Sequence, residues 1–240
     1  MSKEKLIQTF GRSKVFLPVI HPVSKEIALD SIKVAVDAKA DGIFLINQGM
    51  SSKEVLMLSD EVNRTYPDLW IGVNLLDSHP VGMLQHSMGH PIKGVWADNA
   101  EVDEYAEEQT LASCFKTATR VNHWNGLYFG GVAFKYQRPV LDENLGKAAK
   151  YAVPCMDVIM TSGPGTGMQS DVQKVQLMKE GAGEHPLGLA SGVSPENIST
   201  FLPYVDVFLV ASGIETSRYS GILIPERTQS LSEAIHSYHV

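Results

Sequence analysis

Val15-Phe16-Leu17-Pro18-Val19-Ile20 is an unbroken apolar run. It leads through His21-Pro22-Val23 into the stretch from Ser24 to Ala40, which ends just before a second run, Gly42-Ile43-Phe44-Leu45-Ile46. Neither run alternates apolar with polar residues, so each reads as a strand buried on both faces, as in parallel sheets. The stretch between them places Ile27, Ile32, Val34, Ala35 and Ala38 near one stripe of a helix. Strand, helix, strand is one βα unit of a parallel sheet.

The unit recurs along the chain. Further apolar runs are Trp70 to Leu75, Ile92 to Trp96, Leu127 to Phe134, Asp157 to Met160, Pro186 to Leu189 and Val207 to Val210. Helical patterns fall at Ser52 to Tyr66, Tyr105 to Val121, Asn144 to Tyr151, Asp171 to Lys179, Pro195 to Leu202 and Pro225 to Tyr238, with a weak one at Val81 to Ser87. Ser52, Ser194-Pro195-Glu196 and Pro225-Glu226 read as helix starts, with a cap or a first-turn proline and an acid. Eight strands, spaced roughly 20 to 35 residues apart, predict a single (β/α)8 TIM barrel spanning residues 1–240 as one domain. The rival is an open doubly wound sheet, which carries a glycine-rich turn after its first strand. Here that turn is His21-Pro22-Val23, without glycine.

The chain has 240 residues, 44% hydrophobic and 20% charged, and a net charge of −7. The acidic balance argues against nucleic acid and membrane surfaces as partners, though a locally positive pocket remains compatible with a small anion. Met1-Ser2-Lys3-Glu4-Lys5 is charged where a secretory signal is apolar, and no apolar stretch reaches the roughly 18 residues of a membrane span. A cytoplasmic protein is expected, and a homo-oligomer is compatible with this composition. Cys114 and Cys155 have no zinc or redox spacing and read as reduced thiols in or near the core.

Barrels of this class carry their sites at the C-terminal ends of the strands. Those ends hold His21; Asn47 and Gln48; Asn74 and Asp77; Asp98 and Asn99; Lys135 and Tyr136; Thr161 to Gly167; Ser191 and Gly192; and Ser212 and Gly213. Three consecutive ends are glycine-rich: Thr161-Ser162-Gly163-Pro164-Gly165-Thr166-Gly167, Ser191-Gly192-Val193 and Ala211-Ser212-Gly213. Glycine lets backbone N–H groups approach an anion closely, and the last two strands of such barrels commonly hold phosphate. The expected ligand-binding set is therefore Asn47, Asn74, Thr161, Gly163, Gly165, Thr166, Gly167, Ser191, Gly192, Ser212 and Gly213. The bland alternative is that these glycines only make tight turns.

Lys135, Asp98 and His21 are the candidate catalytic residues. Lys135 follows an apolar strand and suits acid, base or Schiff-base chemistry, or else binds the anion or neutralises Asp98. Asp98 suits a general base if burial raises its pKa, or caps a loop amide. His21 suits proton transfer, or sits in a turn before Pro22. His86 and His90 have helical metal-ligand spacing, but the surrounding Pro80, Gly82, Gly89 and Pro91 point to a loop. No metal and no cofactor are expected. His123, His185, His236 and His239 read as surface or helix-end residues.

These strand ends resemble the BtpA family, TIM-barrel-like proteins named for a role in photosystem I biogenesis. The resemblance runs from about His21 to Gly221. It is carried by Gly72-Val73-Asn74-Leu75-Leu76, by Phe134-Lys135, by Asp157 to Gly167 and by Ser191-Gly192-Val193-Ser194-Pro195-Glu196-Asn197. It implies a barrel with a strand-end pocket. The chain departs from the family pattern at His21-Pro22, where a Leu-Pro-Pro-Leu-Pro-Gly follows the histidine in the family. It departs again at Ile46-Asn47 in place of Glu-Asn, and at Lys135-Tyr136 in place of Lys-His. Three functions follow. The first is an enzyme acting on a small phosphorylated metabolite, a phosphosugar or nucleotide-like compound, by isomerase, lyase or glycosyl-bond chemistry. The second is a non-catalytic binding or assembly factor, and the third a metal-dependent hydrolase resting on Asp77 to His90 and Asp98.

Overall fold

A computed structural model describes residues 2–238. Eight parallel strands close into a barrel in the order β1 to β8. They are β1 (Val15–Ile20), β2 (Ile43–Ile46), β3 (Ile71–Asn74), β4 (Gly94–Ala97), β5 (Leu127–Gly131), β6 (Val158–Ser162), β7 (Leu187–Ala190) and β8 (Val207–Val210). The barrel shuts where β1 pairs with β8, Val15 beside Val207 and Leu17 beside Leu209.

Every strand residue is buried, which explains the unbroken apolar runs. Alternate residues serve two cores. Val15, Leu17, Val19, Phe44, Trp70, Trp96, Phe129, Met160 and Leu209 fill the barrel interior. Phe16, Ile20, Ile43, Leu45 and Phe208 face outward and pack under the helices. Phe44 touches Trp70, Trp96 and Phe129 edge-on, with ring centroids 5.1–5.8 Å apart. Gly94 makes room for the Trp70 indole, since a Cβ there would lie 2.2 Å from it. Each such buried aromatic stabilises the fold by about 1.5–3 kcal/mol.

The helices are α1 (Ser2–Phe10), α2 (Lys25–Asp37), α3 (Ser52–Thr65), α4 (Pro80–Ser87), α5 (Thr110–Val121), α6 (Asp142–Ala152), α7 (Val172–Ala182), α8 (Ile198–Phe201) and α9 (Pro225–His236). Helix α1 has no counterpart in the sequence reading. It lies across the N-terminal mouth of the barrel, with Leu6 buried and Phe10 against Trp70 at 5.1 Å. The cap of α3 is Ser51 rather than Ser52: Ser51 and Glu54 form a capping box. The stretch from Pro195 contains only the short α8, because Asn197 turns back to accept from the Ser194 amide. Strand β5 ends at Gly131, three residues before the end of its apolar run, and Ala133 adopts a left-handed backbone with φ 48°.

Among the described residues no helix is long and apolar enough to cross a membrane. Cys155 is buried and Cys114 is exposed, and both are free thiols. His185, expected at the surface or a helix end, lies just past the end of α7 and is buried. His236 bonds Asp41 at 2.9 Å, and His239 lies outside the described residues.

Candidate functional site at the C-terminal mouth

A cavity of about 190 Å³ opens at the C-terminal mouth of the barrel. Val19, Ile46, Trp96 and Leu209 line its apolar part. The polar side chains around it include His21, Gln48, Asp98, Lys135, Tyr136, Thr166, Ser191, Ser212 and Tyr219. The three candidate catalytic residues therefore share one cavity with Thr166, Ser191 and Ser212.

His21 is buried at the end of β1, and its Nδ1 lies 2.7 Å from Oε1 of Glu215, whose side chain is fully buried. An imidazole held this way by a carboxylate keeps its other nitrogen, Nε2, for a ligand. Asp98 follows β4 and accepts from Asn74 Nδ2 at 2.9 Å. Burial pushes the Asp98 carboxyl above the usual aspartate range, partly offset by the nearby Lys135 charge and the Asn74 hydrogen bond. Strands β4 and β5 meet closely here. A Cβ on Gly131 would sit 1.8 Å from the Asp98 carbonyl, so glycine lets the two strand ends converge.

Lys135 stands four residues beyond the end of β5 and is held by its neighbours. Its amide donates to Ser162 Oγ at 2.8 Å, and its Nζ donates to Thr166 Oγ1 at 3.3 Å. Lys174, on α7, donates to the Ala133 and Ser162 carbonyls at 2.5 and 2.8 Å, tying the exits of β5 and β6 together. Burial lowers the Lys174 ammonium to about 8.

The remaining predicted residues divide by what they touch. Asn47 bridges two loops, donating to Ser52 Oγ at 3.0 Å and accepting from the Leu76 amide at 2.6 Å. Asn74 is fully buried beneath Asp98, and its Oδ1 has no hydrogen-bond partner. Thr161 donates to the Ala133 carbonyl at 3.3 Å. Gly163 packs on the Met168 carbonyl, and Gly165 accepts from Ser191 Oγ at 3.2 Å. The Gly167 amide donates to Ser191 Oγ at 2.8 Å. Gly192, with φ 73°, packs on Met168, and Gly213 packs on the Val193 carbonyl. None of these eight lines the cavity. Among the described residues the amides of Gly192, Ser212 and Gly213 donate to no protein acceptor.

Glu215, Arg218 and Tyr219 were not singled out in the sequence. They follow β8 just beyond the glycine loop, and only folding brings Glu215 to His21. The histidine pair in the 79–90 region does not converge. His90 bonds Asp60 at 3.0 Å and His86 approaches Ser78 at 3.4 Å. Among the described residues no three His, Cys, Asp or Glu side chains gather as metal ligands.

Fold and cavity together place the chain among (β/α)8 barrels with a pocket at the strand C-terminal ends. No family model matches it, and no curated protein matches it in sequence. Solved structures do match in fold. Phosphoribosyl anthranilate isomerase from Thermus thermophilus has a TM-score of 0.63 at 16% identity, covering 93% of this chain and 99% of its own. Another phosphoribosyl anthranilate isomerase structure, in complex with reduced 1-(o-carboxyphenylamino)-1-deoxyribulose 5-phosphate, has a TM-score of 0.63 at 17% identity, covering 93% and 100%. Tryptophan synthase subunit alpha from Legionella pneumophila has a TM-score of 0.66 at 11% identity, covering 99% and 97%. At these identities the likeness shows the fold alone.

Proposed function

We propose that this chain is an enzyme that moves a proton on a small phosphorylated metabolite at the C-terminal mouth of its barrel. The observation that carries this reading is a single cavity lined by His21, Asp98 and Lys135, with Ser191 and Ser212 on its wall. A phosphate takes the amides of Gly192, Ser212 and Gly213, which have no protein acceptor. His21, oriented by Glu215, exchanges a proton through Nε2. Asp98, whose carboxyl holds its proton more tightly than an ordinary aspartate, exchanges the second. Lys135 stabilises negative charge that develops on a substrate oxygen between them.

This chemistry fits an isomerase or lyase step: one group takes a proton from a carbon beside a carbonyl and the other returns one. A fold neighbour bound to a deoxyribulose 5-phosphate compound supports the ligand class. Kinship with the BtpA family belongs to the same proposal and is supported by Phe134-Lys135 and the stretch from Ser191 to Asn197.

The test is a panel of sugar phosphates and nucleotides read by thermal unfolding. A true ligand at 100 times its Kd adds about 2.7 kcal/mol, which raises Tm by roughly 5–10 °C. With that ligand as substrate, Lys135→Ala lowers kcat by about 100-fold or more with the fold intact. A panel without any shift sinks the proposal.

A further inference from the structure

The segment between β8 and α9 is a short arm folded back on itself. Glu215 bridges Leu223 in antiparallel fashion, and the Thr216 amide donates to Ile222 at 3.0 Å. The root of the arm is anchored. Ser31 Oγ donates to the Gly221 carbonyl at 2.5 Å and accepts from the Leu223 amide at 3.2 Å. Gly221, with φ 69°, presses on His21: a Cβ there would meet the His21 carbonyl at 2.2 Å. The tip, by contrast, is exposed from Thr216 to Tyr219.

Three contacts link this tip to the site. Glu215 divides its carboxylate, with Oε1 on His21 Nδ1 at 2.7 Å and Oε2 accepting from the Tyr219 amide at 3.2 Å. The Tyr219 ring also stands edge-on to the His21 imidazole at 5.3 Å. Next to it, Arg218 reaches across to the Thr166 carbonyl on the loop after β6. Thr166 is the residue whose hydroxyl accepts from Lys135 Nζ and whose hydroxyl and amide both bond the Tyr136 hydroxyl.

We propose that residues 215–223 form a lid over the cavity, and that Arg218 is a positioning residue whose grip on Thr166 keeps His21 in its working orientation through Tyr219 and Glu215. With Arg218 seated, both carboxylate oxygens of Glu215 are engaged and the His21 ring is held by carboxylate and aromatic together. With Arg218 released, the tip lifts from its fixed root, and the Tyr219 amide and ring leave Glu215 and His21. The carboxylate then turns freely and the imidazole loses its single orientation. The same movement opens the mouth for entry and exit, as lids on other enzymes do. The inference rests on the proposed function for its use, but its first test needs no ligand.

That test compares the full chain with Arg218→Ala and Arg218→Lys by imidazole nitrogen NMR and amide hydrogen exchange, with His21→Gln to assign the His21 signals. Arg218→Ala is expected to leave Tm within about 2 °C, since the side chain is exposed. It should convert a single Nδ1–H tautomer of His21 into an averaged signal and lower Tyr219 amide protection roughly tenfold or more. Arg218→Lys, which can still donate to Thr166, should restore part of both. Unchanged His21 signals and Tyr219 protection in Arg218→Ala would overturn the proposal. A second arm measures dissociation of ribose 5-phosphate, which should quicken in Arg218→Ala. If the parent chain binds no sugar phosphate while the NMR arm succeeds, the functional reading fails and the lid stands.

Discussion

At the N-terminal mouth of the barrel, Asp206 accepts from Lys179 at 3.0 Å, from Lys14 at 3.5 Å and from the Leu187 amide at 3.1 Å. Asp157 there accepts from Lys5 and from the Tyr128 amide. At the C-terminal mouth, Asp98, Lys135 and Arg218 have only neutral hydrogen-bond partners: Asn74, the Thr166 hydroxyl and the Thr166 carbonyl. One barrel thus treats its charges in two ways. Those at the first mouth are matched by opposite charge, Asp157 by Lys5 of α1 and Asp206 by Lys14 and Lys179, which is how a fold uses charge for stability. At the second, Glu215 is paired with His21, whereas Asp98 and Lys135 line the cavity and, among the described residues, neither is in a salt bridge.

The sharpest way to break this comparison is to remove one charge from each mouth. Asp206→Asn strands two ammonium groups, one of them almost fully buried, and should cost about 3–5 kcal/mol. That lowers Tm by roughly 6–20 °C while ligand affinity is unchanged. Equal stability of the variant in urea would remove the distinction.

Next in size is an acid sensitivity at the same end. His185, just before β7, is buried with Nε2 unpartnered, and burial lowers its pKa to about 4 from 6.5. The folded value is depressed, so the stabilisation is complete above pH 6.5 and is lost as pH falls toward 4. Up to about 3 kcal/mol should disappear across that window, and His185→Gln should flatten it in chemical denaturation at stepped pH. A parent chain equally stable at pH 4.5 and 7 would contradict this.

The smallest effect on stability belongs to the second mouth. Asp98 has a raised folded pKa, so its contribution is present below the usual aspartate value and is lost as pH rises through the folded one. At pH 7 the ionised carboxylate is therefore a cost. Asp98→Asn keeps an acceptor for Asn74 and should change stability by no more than about 1 kcal/mol, in the stabilising direction. The same variant should abolish turnover, and in the parent the acid limb of kcat/KM should fall above the ordinary aspartate range. Loss of stability with turnover retained would reverse the assignment of this mouth.

The strands were the legible part of the fold. Residues buried on both faces leave an unbroken apolar mark, and β1 and β8 fall where that mark is clearest. Strand β5 ended early because the apolar run continues past Gly131 into loop residues that pack inside the mouth, Phe134 among them. Helix α1 was illegible because a short segment rich in charge is stabilised by what Leu6 and Phe10 cover, not by its own pattern. His185 looked like a surface histidine because local sequence carries no record of burial.

That His21, Asp98 and Lys135 would meet around one cavity was readable from their place at strand ends, and the same holds for Thr166, Ser191 and Ser212 in the glycine loops. Asn47 and Thr161 shared that position but spend their side chains on neighbouring loops. Glu215 and Arg218 left no signal. Glu215 acts on a histidine 194 residues away, and Arg218 on a carbonyl 52 residues away, through proximity that only the closed barrel creates.

The most direct measurement is a crystal structure of the chain grown with ribose 5-phosphate, or with whichever sugar phosphate raises Tm most. The account predicts phosphate density on the amides of Gly192, Ser212 and Gly213, with the sugar between His21 and Asp98 and within reach of Lys135 Nζ. A phosphate bound elsewhere on the molecule, with this cavity holding solvent alone, would contradict it.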